Sequence, residues 1–155
     1  MTTEHMSDAQ LAAQPAAYWT GMAYEALIGF TRAQLVELGM SQPQYWLLRN
    51  LSKHDISPDG HGMTVPELQQ AMSSYIRPED DLEADSEVLL GRGWLTRDDE
   101  GRLWITDEGD EARAALHPRI PAIRDHIHQG IDDSDYVVAL KVLRQMMRNV
   151  GSDMP

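Results

Sequence analysis

The chain has 155 residues, a formal net charge of −12 and no cysteine. It is long enough for one domain with a real core, and it lacks the means for disulfides, thiolate catalysis or cysteine-ligated zinc and iron–sulfur centres. No run approaches the ~20 apolar residues of a membrane-spanning helix, and "MTTEHMSDAQ" has no basic start followed by an apolar stretch, so neither a membrane nor a secretory setting is expected and a reduced cytoplasm is. Between Arg77 and Glu111 thirteen acids stand against four arginines, so nine of the twelve excess negative charges lie in this stretch. Such a surface repels nucleic acid at long range. The only lysines are Lys53 and Lys141, which leaves any phosphate binding to arginine.

Residues 1–14 are small and polar and read as a flexible N-terminal arm. From Pro15 a helical pattern begins, with Trp19, Met22, Tyr24, Leu27, Ile28, Leu35 and Leu38 at mostly three- and four-residue steps. Gly29 and Thr31 weaken it midway, and Gly39 is placed to end it. In "SQPQYWLLRNL" Ser41 and Gln44 form a capping box around Pro43, opening a helix with Trp46, Leu47, Leu48 and Leu51 on its apolar face. Arg49, in its last turn, is expected to cap the C-terminal carbonyls.

"SKHDISPDGHG" is a loop by composition. Its His54, Asp55, Asp59 and His61 could hold a metal only if the loop folded back, and a plain surface loop is the stronger expectation. A second capping box, Thr64 and Glu67, opens the short helix "VPELQQAM", which "SSYI" ends. Pro78 is expected in the first turn of the next helix, with Arg77 just outside and acids crowding its dipole-favoured end. Gly91 and Gly93 end that helix.

"WLTRDDEGRLWIT" is a hairpin turning at Asp99-Glu100-Gly101. Beyond it "TDEGDEARAALHPRIPAIRDHIHQGI" is helical on either side of a break at Pro118 and Pro121. Asp133 or Ser134 should cap the last helix, whose apolar stripe is Val137, Leu140, Leu143, Met147 and Val150. His126 and His128 stand two apart and do not chelate on a helix. No nucleophile elbow, phosphate-binding glycine loop or His-Glu-x-x-His helix occurs, so no catalytic residue, metal or cofactor is assigned and no enzyme is expected.

The expected fold class is therefore mainly α with a small β-hairpin wing. The order from about 41 to 106 is that of a winged helix-turn-helix, flanked by helices at about 15–38 and 107–150 whose apolar stripes are wide enough to suggest a dimer. Three pieces carry a resemblance: "MTVPELQQAM" before the turn, "VLLGRGWLTR" running from the reading helix into the wing, and "ITDEG" after it. Through them the chain resembles the MarR (multiple antibiotic resistance regulator) family of bacterial transcriptional regulators over a single domain at 15–150, with 151–155 as a tail.

The resemblance implies a cytoplasmic homodimer on pseudo-palindromic double-stranded DNA, its reading helices in successive major grooves and its wings on the minor groove. It also implies release by a small, often phenolic, effector. Aligned on Leu89 and Gly93, the family's usual Ser/Thr/Arg contact positions fall on Asp80, Asp81, Glu83 and Ala84. Asp85 and Ser86 fall where apolar residues are usual, and the wing's Asp-x-Arg-Asp-Arg-Arg run shrinks to "DDEGR". A carboxylate is repelled by phosphate and can accept only from cytosine N4 at a base edge.

Three readings of the acidic run follow: a solvated helix face; a loss of DNA readout that leaves a protein- or ligand-binding winged-helix dimer; or DNA held through Ser73, Ser74, Arg77, Arg97 and Arg102, with the acids lowering affinity. Arg97 and Arg102 could equally neutralise the acids of their own turn. Tyr18, Trp19, Met22, Tyr45 and Trp46 are the candidate effector-binding residues, with core and dimer packing as their plainer role.

Overall fold

The structure is a computed structural model that describes residues 5–152. The chain divides into two compact units, one up to Arg119 and one from Ile120 onward.

In the first unit, Ser7 caps a five-residue helix, α1 (Asp8–Ala12), within the stretch expected as an arm, and none of its residues is buried. Helix α2 (Ala16–Glu37) runs unbroken through Gly29, and Gly39, at φ 108°, turns the chain after it. Ser41 and Gln44 make the reciprocal box that opens α3 (Gln42–Leu51). Thr64 accepts from the Glu67 N–H to open α4 (Val65–Ala71); the Glu67 carboxylate goes to Arg102.

Helix α5 is Leu82–Gly91, capped by the Asp81 carboxylate on the Ala84 N–H. The expectation for Pro78 is thereby corrected. Residues 77–80 form a turn closed by the Asp80 N–H donating to the Arg77 carbonyl, so Pro78 occupies the second position of a β-turn rather than the first turn of the helix. Proline suits both places because both want φ near −65°.

Strands β1 (Leu95–Arg97) and β2 (Leu103–Ile105) pair antiparallel as Leu95↔Ile105, Thr96↔Trp104 and Arg97↔Leu103, with Gly101 at φ 77° in the turn. Helix α6 (Asp107–Leu116) follows, ending in a 3₁₀ turn at His117–Arg119 that contains Pro118.

Leu47, Leu48, Leu51, Leu68, Met72, Leu89, Leu95 and Leu103 are fully or almost fully buried and tie α3, α4, α5 and the hairpin into one core. Burying each such side chain is worth about 1.5–3 kcal/mol. Ser86 lies in this core as well; its hydroxyl donates to the Leu82 carbonyl at 2.6 Å, which satisfies a polar group where an apolar one is usual.

The second unit holds α7 (Ile120–Ile127) and α8 (Asp133–Asn149). The N-cap of α8 is Asp132, ahead of both expected caps, Asp133 and Ser134, and its side chain makes no capping bond. Tyr136 packs against the His128 ring. Among the described residues no helix is long and apolar enough to cross a membrane.

Candidate nucleic-acid interface

A winged helix meets DNA through the turn before its reading helix, the exposed face of that helix and the wing. Here those parts are residues 72–81, helix α5 and β1–β2. Ser73 and Ser74 lie exposed in the turn after α4. The three candidate arginines are each held by carboxylates of the chain itself. Arg77 pairs with Glu25 of α2 at 2.9 Å and with Glu79, lies over the Tyr24 ring, and its pKa is raised by the hydrogen bonds to Glu79 and Glu25. Arg97 pairs with Glu83 at 3.0 Å and Glu87 at 2.9 Å. Arg102 donates to the Gly62 carbonyl at 3.0 Å and pairs with Glu67 at 3.2 Å and Glu100 at 3.6 Å.

The acids of this region do different jobs. Asp80 is not a DNA-facing group: its side chain is only 7% exposed. It accepts both terminal nitrogens of Arg32 at 2.7 and 2.8 Å and the Arg77 backbone N–H at 2.7 Å. The Arg32 hydrogen bonds hold its carboxyl below the ordinary aspartate range. Together with Glu25–Arg77, this fastens the turn before α5 to α2 by two ion pairs.

Asp81 is spent on the helix cap. Asp85 is half-buried, accepts from Gln44 Nε2 at 3.2 Å and the Ser41 hydroxyl at 3.5 Å, and burial pushes its pKa up. That leaves Glu83, Ala84, Glu87 and Val88 as the outward face of α5.

Two further arginines move away from any such surface. Arg113 is buried, pairing with Asp110 at 2.8 Å and Asp55 at 3.3 Å. Arg49 does not cap its helix; it pairs with Asp55 at 3.0 Å and stacks on Trp46, because the loop returns Asp55 to within its reach. Ser52 donates to Asp110 at 2.6 Å. Burial alone would raise Asp110, but Ser52 and Arg113 hold it below its ordinary value. His54 lies 3.8 Å from the same carboxylate, and Asp59 accepts from the His61 N–H. Among the described residues, no three His, Asp or Glu side chains gather as a metal site.

The five candidate effector residues fall into two groups. Tyr18 and Trp19 meet edge to face on α2, with Tyr18 and Met22 exposed. Tyr45 is buried with its hydroxyl 3.5 Å from His117 Nδ1, and burial raises its pKa; Trp46 lies against Tyr75 and Arg49. Sequence reasoning missed a cleft of about 270 Å³ lined by Leu38, Met40, Trp94, Ala112, Ala115, Leu116 and Arg119. Its residues come from three separate stretches, so no local pattern marks them.

No protein-family model matches the sequence, and no curated protein sequence matches it. Solved structures do match in fold. A MarR family transcriptional regulator from Silicibacter pomeroyi superposes with TM-score 0.69 at 20% identity, over 94% of this chain and 99% of that one. The fold is that of the MarR family.

A Mycobacterium tuberculosis MarR family protein solved in complex with DNA superposes at 0.61 and 19% identity, over 90% and 99% of the two chains. The same protein in complex with p-aminosalicylic acid superposes at 0.57 and 18%, over 90% and 100%. The MarR-like "ITDEG" has a physical basis here. Thr106 caps α6 through the Gly109 N–H and donates to the Gly93 carbonyl at 2.7 Å. A Cβ on Gly109 would collide with the Trp94 carbonyl. Thr106 and Gly109 thus seat α6 against the start of the wing.

Proposed function

We propose that the chain is a homodimeric, DNA-binding transcriptional regulator that responds to a small aromatic ligand. The observation that carries this reading is the α3–α4–α5–hairpin unit on a single leucine core, in the same fold as a protein solved on DNA. Ser73, Ser74, Arg77, Arg97 and Arg102 are the groups we assign to phosphate contact; the arginines exchange their carboxylates for phosphate on binding. A second copy covers the exposed apolar side chains of α2 (Tyr18, Met22, Leu27) and, in the other unit, those of α8 (Val137, Leu140, Met147).

The effector reading draws on the relative solved with p-aminosalicylic acid. Tyr18, Trp19, Met22, Tyr45 and Trp46 remain the candidate effector-binding residues, and the Arg119 cleft offers a cation for an aromatic carboxylate. Binding there shifts the population of dimer spacings that fit an operator. The reading assigns no catalysis and places the protein in the cytoplasm.

The experiment is a binding isotherm on the upstream region of the protein's own gene at several salt concentrations, with the mass in solution measured alongside. Binding by a dimer with a salt-dependent constant is expected; no binding at low salt overturns the reading. In that event a second reading stands, a winged-helix dimer serving as a protein- or ligand-binding module. It is favoured by the outward face of α5, which offers Glu83 and Glu87 and no cation.

A further inference from the structure

We propose that Glu83 and Glu87 act as an internal substitute for DNA phosphate, clamping Arg97 of the wing onto the reading helix and so holding DNA affinity down. The inference rests on the DNA-binding reading above and deepens it by naming the contact that opposes binding.

The two glutamates stand four residues apart on α5, so they share one helix face. Each takes a different terminal nitrogen of the same guanidinium: Glu83 Oε1 accepts from Nη2 at 3.0 Å and Glu87 Oε1 from Nη1 at 2.9 Å. Those two nitrogens form the planar fork with which arginine grips a phosphate. With both terminal nitrogens engaged, a phosphate must compete with the two glutamates for the fork of Arg97.

The other wing arginine is held in a similar way, Arg102 donating to the Gly62 carbonyl and Glu67. Beside Arg97 lies a cleft of about 460 Å³ lined by Thr64, Val65, Pro66, Glu83, Glu100 and Gly101, so a phosphate oxygen has room to approach the guanidinium. Glu83 and Glu87 are more than half exposed and Arg97 a third exposed, so the clamp is screened by solvent and can exchange. Exchange has a second cost: it turns two unpaired carboxylates toward the DNA.

The test uses four full-length proteins on duplex DNA from the upstream region of the gene, over a range of salt concentrations: wild type, Glu83→Gln/Glu87→Gln, Arg97→Ala, and the triple variant. All the altered side chains are exposed, and a thermal melt checks that each protein folds. The double glutamine variant is expected to bind at least about tenfold tighter at low salt, with a slope of log K against log salt steeper by about two per dimer. Arg97→Ala should weaken the wild type, whose Arg97 must first leave its carboxylates, several-fold less than it weakens the glutamine background, where it should remove most of the gain.

If Arg97→Ala weakens wild type as much as it weakens the double variant, Arg97 is not clamped and the proposal is overturned. If the gain survives in the triple variant, loss of repulsion alone explains it, which also overturns the clamp. Both outcomes leave the DNA-binding reading standing. Absence of binding by all four proteins at low salt removes the clamp and that reading together.

Discussion

Arg113 and Arg97 each sit between two carboxylates, yet they occupy opposite electrostatic worlds. Arg113 is enclosed with Asp110 and Asp55 where α3, α6 and the loop after α3 meet, while Arg97 reaches Glu83 and Glu87 across the outer surface of α5. In a poorly solvated site the Coulomb energy is large, but so is the cost of dehydrating the ions, and removing one partner strands the other. At the surface water stabilises the separated ions nearly as well, so the pair adds little and can change partners. The same chemistry therefore builds the domain in one place and leaves it adjustable in the other. Asp80 with Arg32 belongs to the first kind although it lies beside the second.

The sharpest way to break this contrast is at Arg113. Arg113→Ala takes the shared cation from Asp110 and Asp55 and leaves them to Ser52 and Arg49 respectively, so a loss of about 3 kcal/mol, the low end for a broken buried pair, is expected in chemical denaturation. A loss under about 1 kcal/mol would place Arg113 with the surface pairs. Gly109→Ala tests the seat of α6 against the wing without touching charge. The collision is with a backbone carbonyl, which cannot rotate away, so a loss of about 1–3 kcal/mol is expected from the same measurement.

Asp80→Asn is the next step down. It keeps the shape but weakens the hydrogen bonds to Arg32, for about 1–3 kcal/mol, and the pH dependence carries the signature. A carboxyl held below its ordinary pKa contributes stability that is present above the unfolded-state value and is lost as pH falls through the folded one. The gap between wild type and variant should stay constant from neutrality down to the ordinary aspartate range and close only below it. A gap that does not change with pH would show Asp80 to be an ordinary solvated acid.

Asp85→Asn should act in the opposite sense. Its raised pKa makes the ionised form unfavourable in the fold, a penalty absent at low pH that sets in as pH rises through the ordinary range to the raised value. The variant should melt slightly higher than wild type at pH 7 and no higher in acid. Smallest of all is Glu67→Gln on the surface, expected within about 0.5 kcal/mol of wild type. A larger loss would move Arg102–Glu67 into the structural class.

Much of the scaffold was legible because it is written in short-range chemistry. Ser41 with Gln44, Thr64 before Pro66, Gly39 after α2 and Gly101 in the hairpin turn all satisfy or release nearby backbone groups, so a few residues suffice to predict them. The alternating side chains of the hairpin and the leucines of α3 follow from the periods of strand and helix.

The start of α5 was misplaced by four residues because Pro78 fits a turn and a helix start equally well; Asp81 was the cap, and the Asp80 N–H was already committed to the Arg77 carbonyl. The charge-bearing surface was read least well. Asp80, Asp81 and Glu83 stand in one short run of like residues, yet one faces inward, one caps a helix and one holds the wing. Nothing local separates them.

Taken alone, then, the sequence determined the order of elements, most of their caps and turns, and the surplus of negative charge around α5, since each depends on groups a few residues apart or on composition. Which carboxylate meets which arginine was decided only by the tertiary structure. Arg32 and Asp80 are 48 residues apart and Asp55 and Arg113 are 58 apart, and an ion's partner is set by distance and dehydration in the folded chain, which are properties of packing rather than of neighbouring sequence.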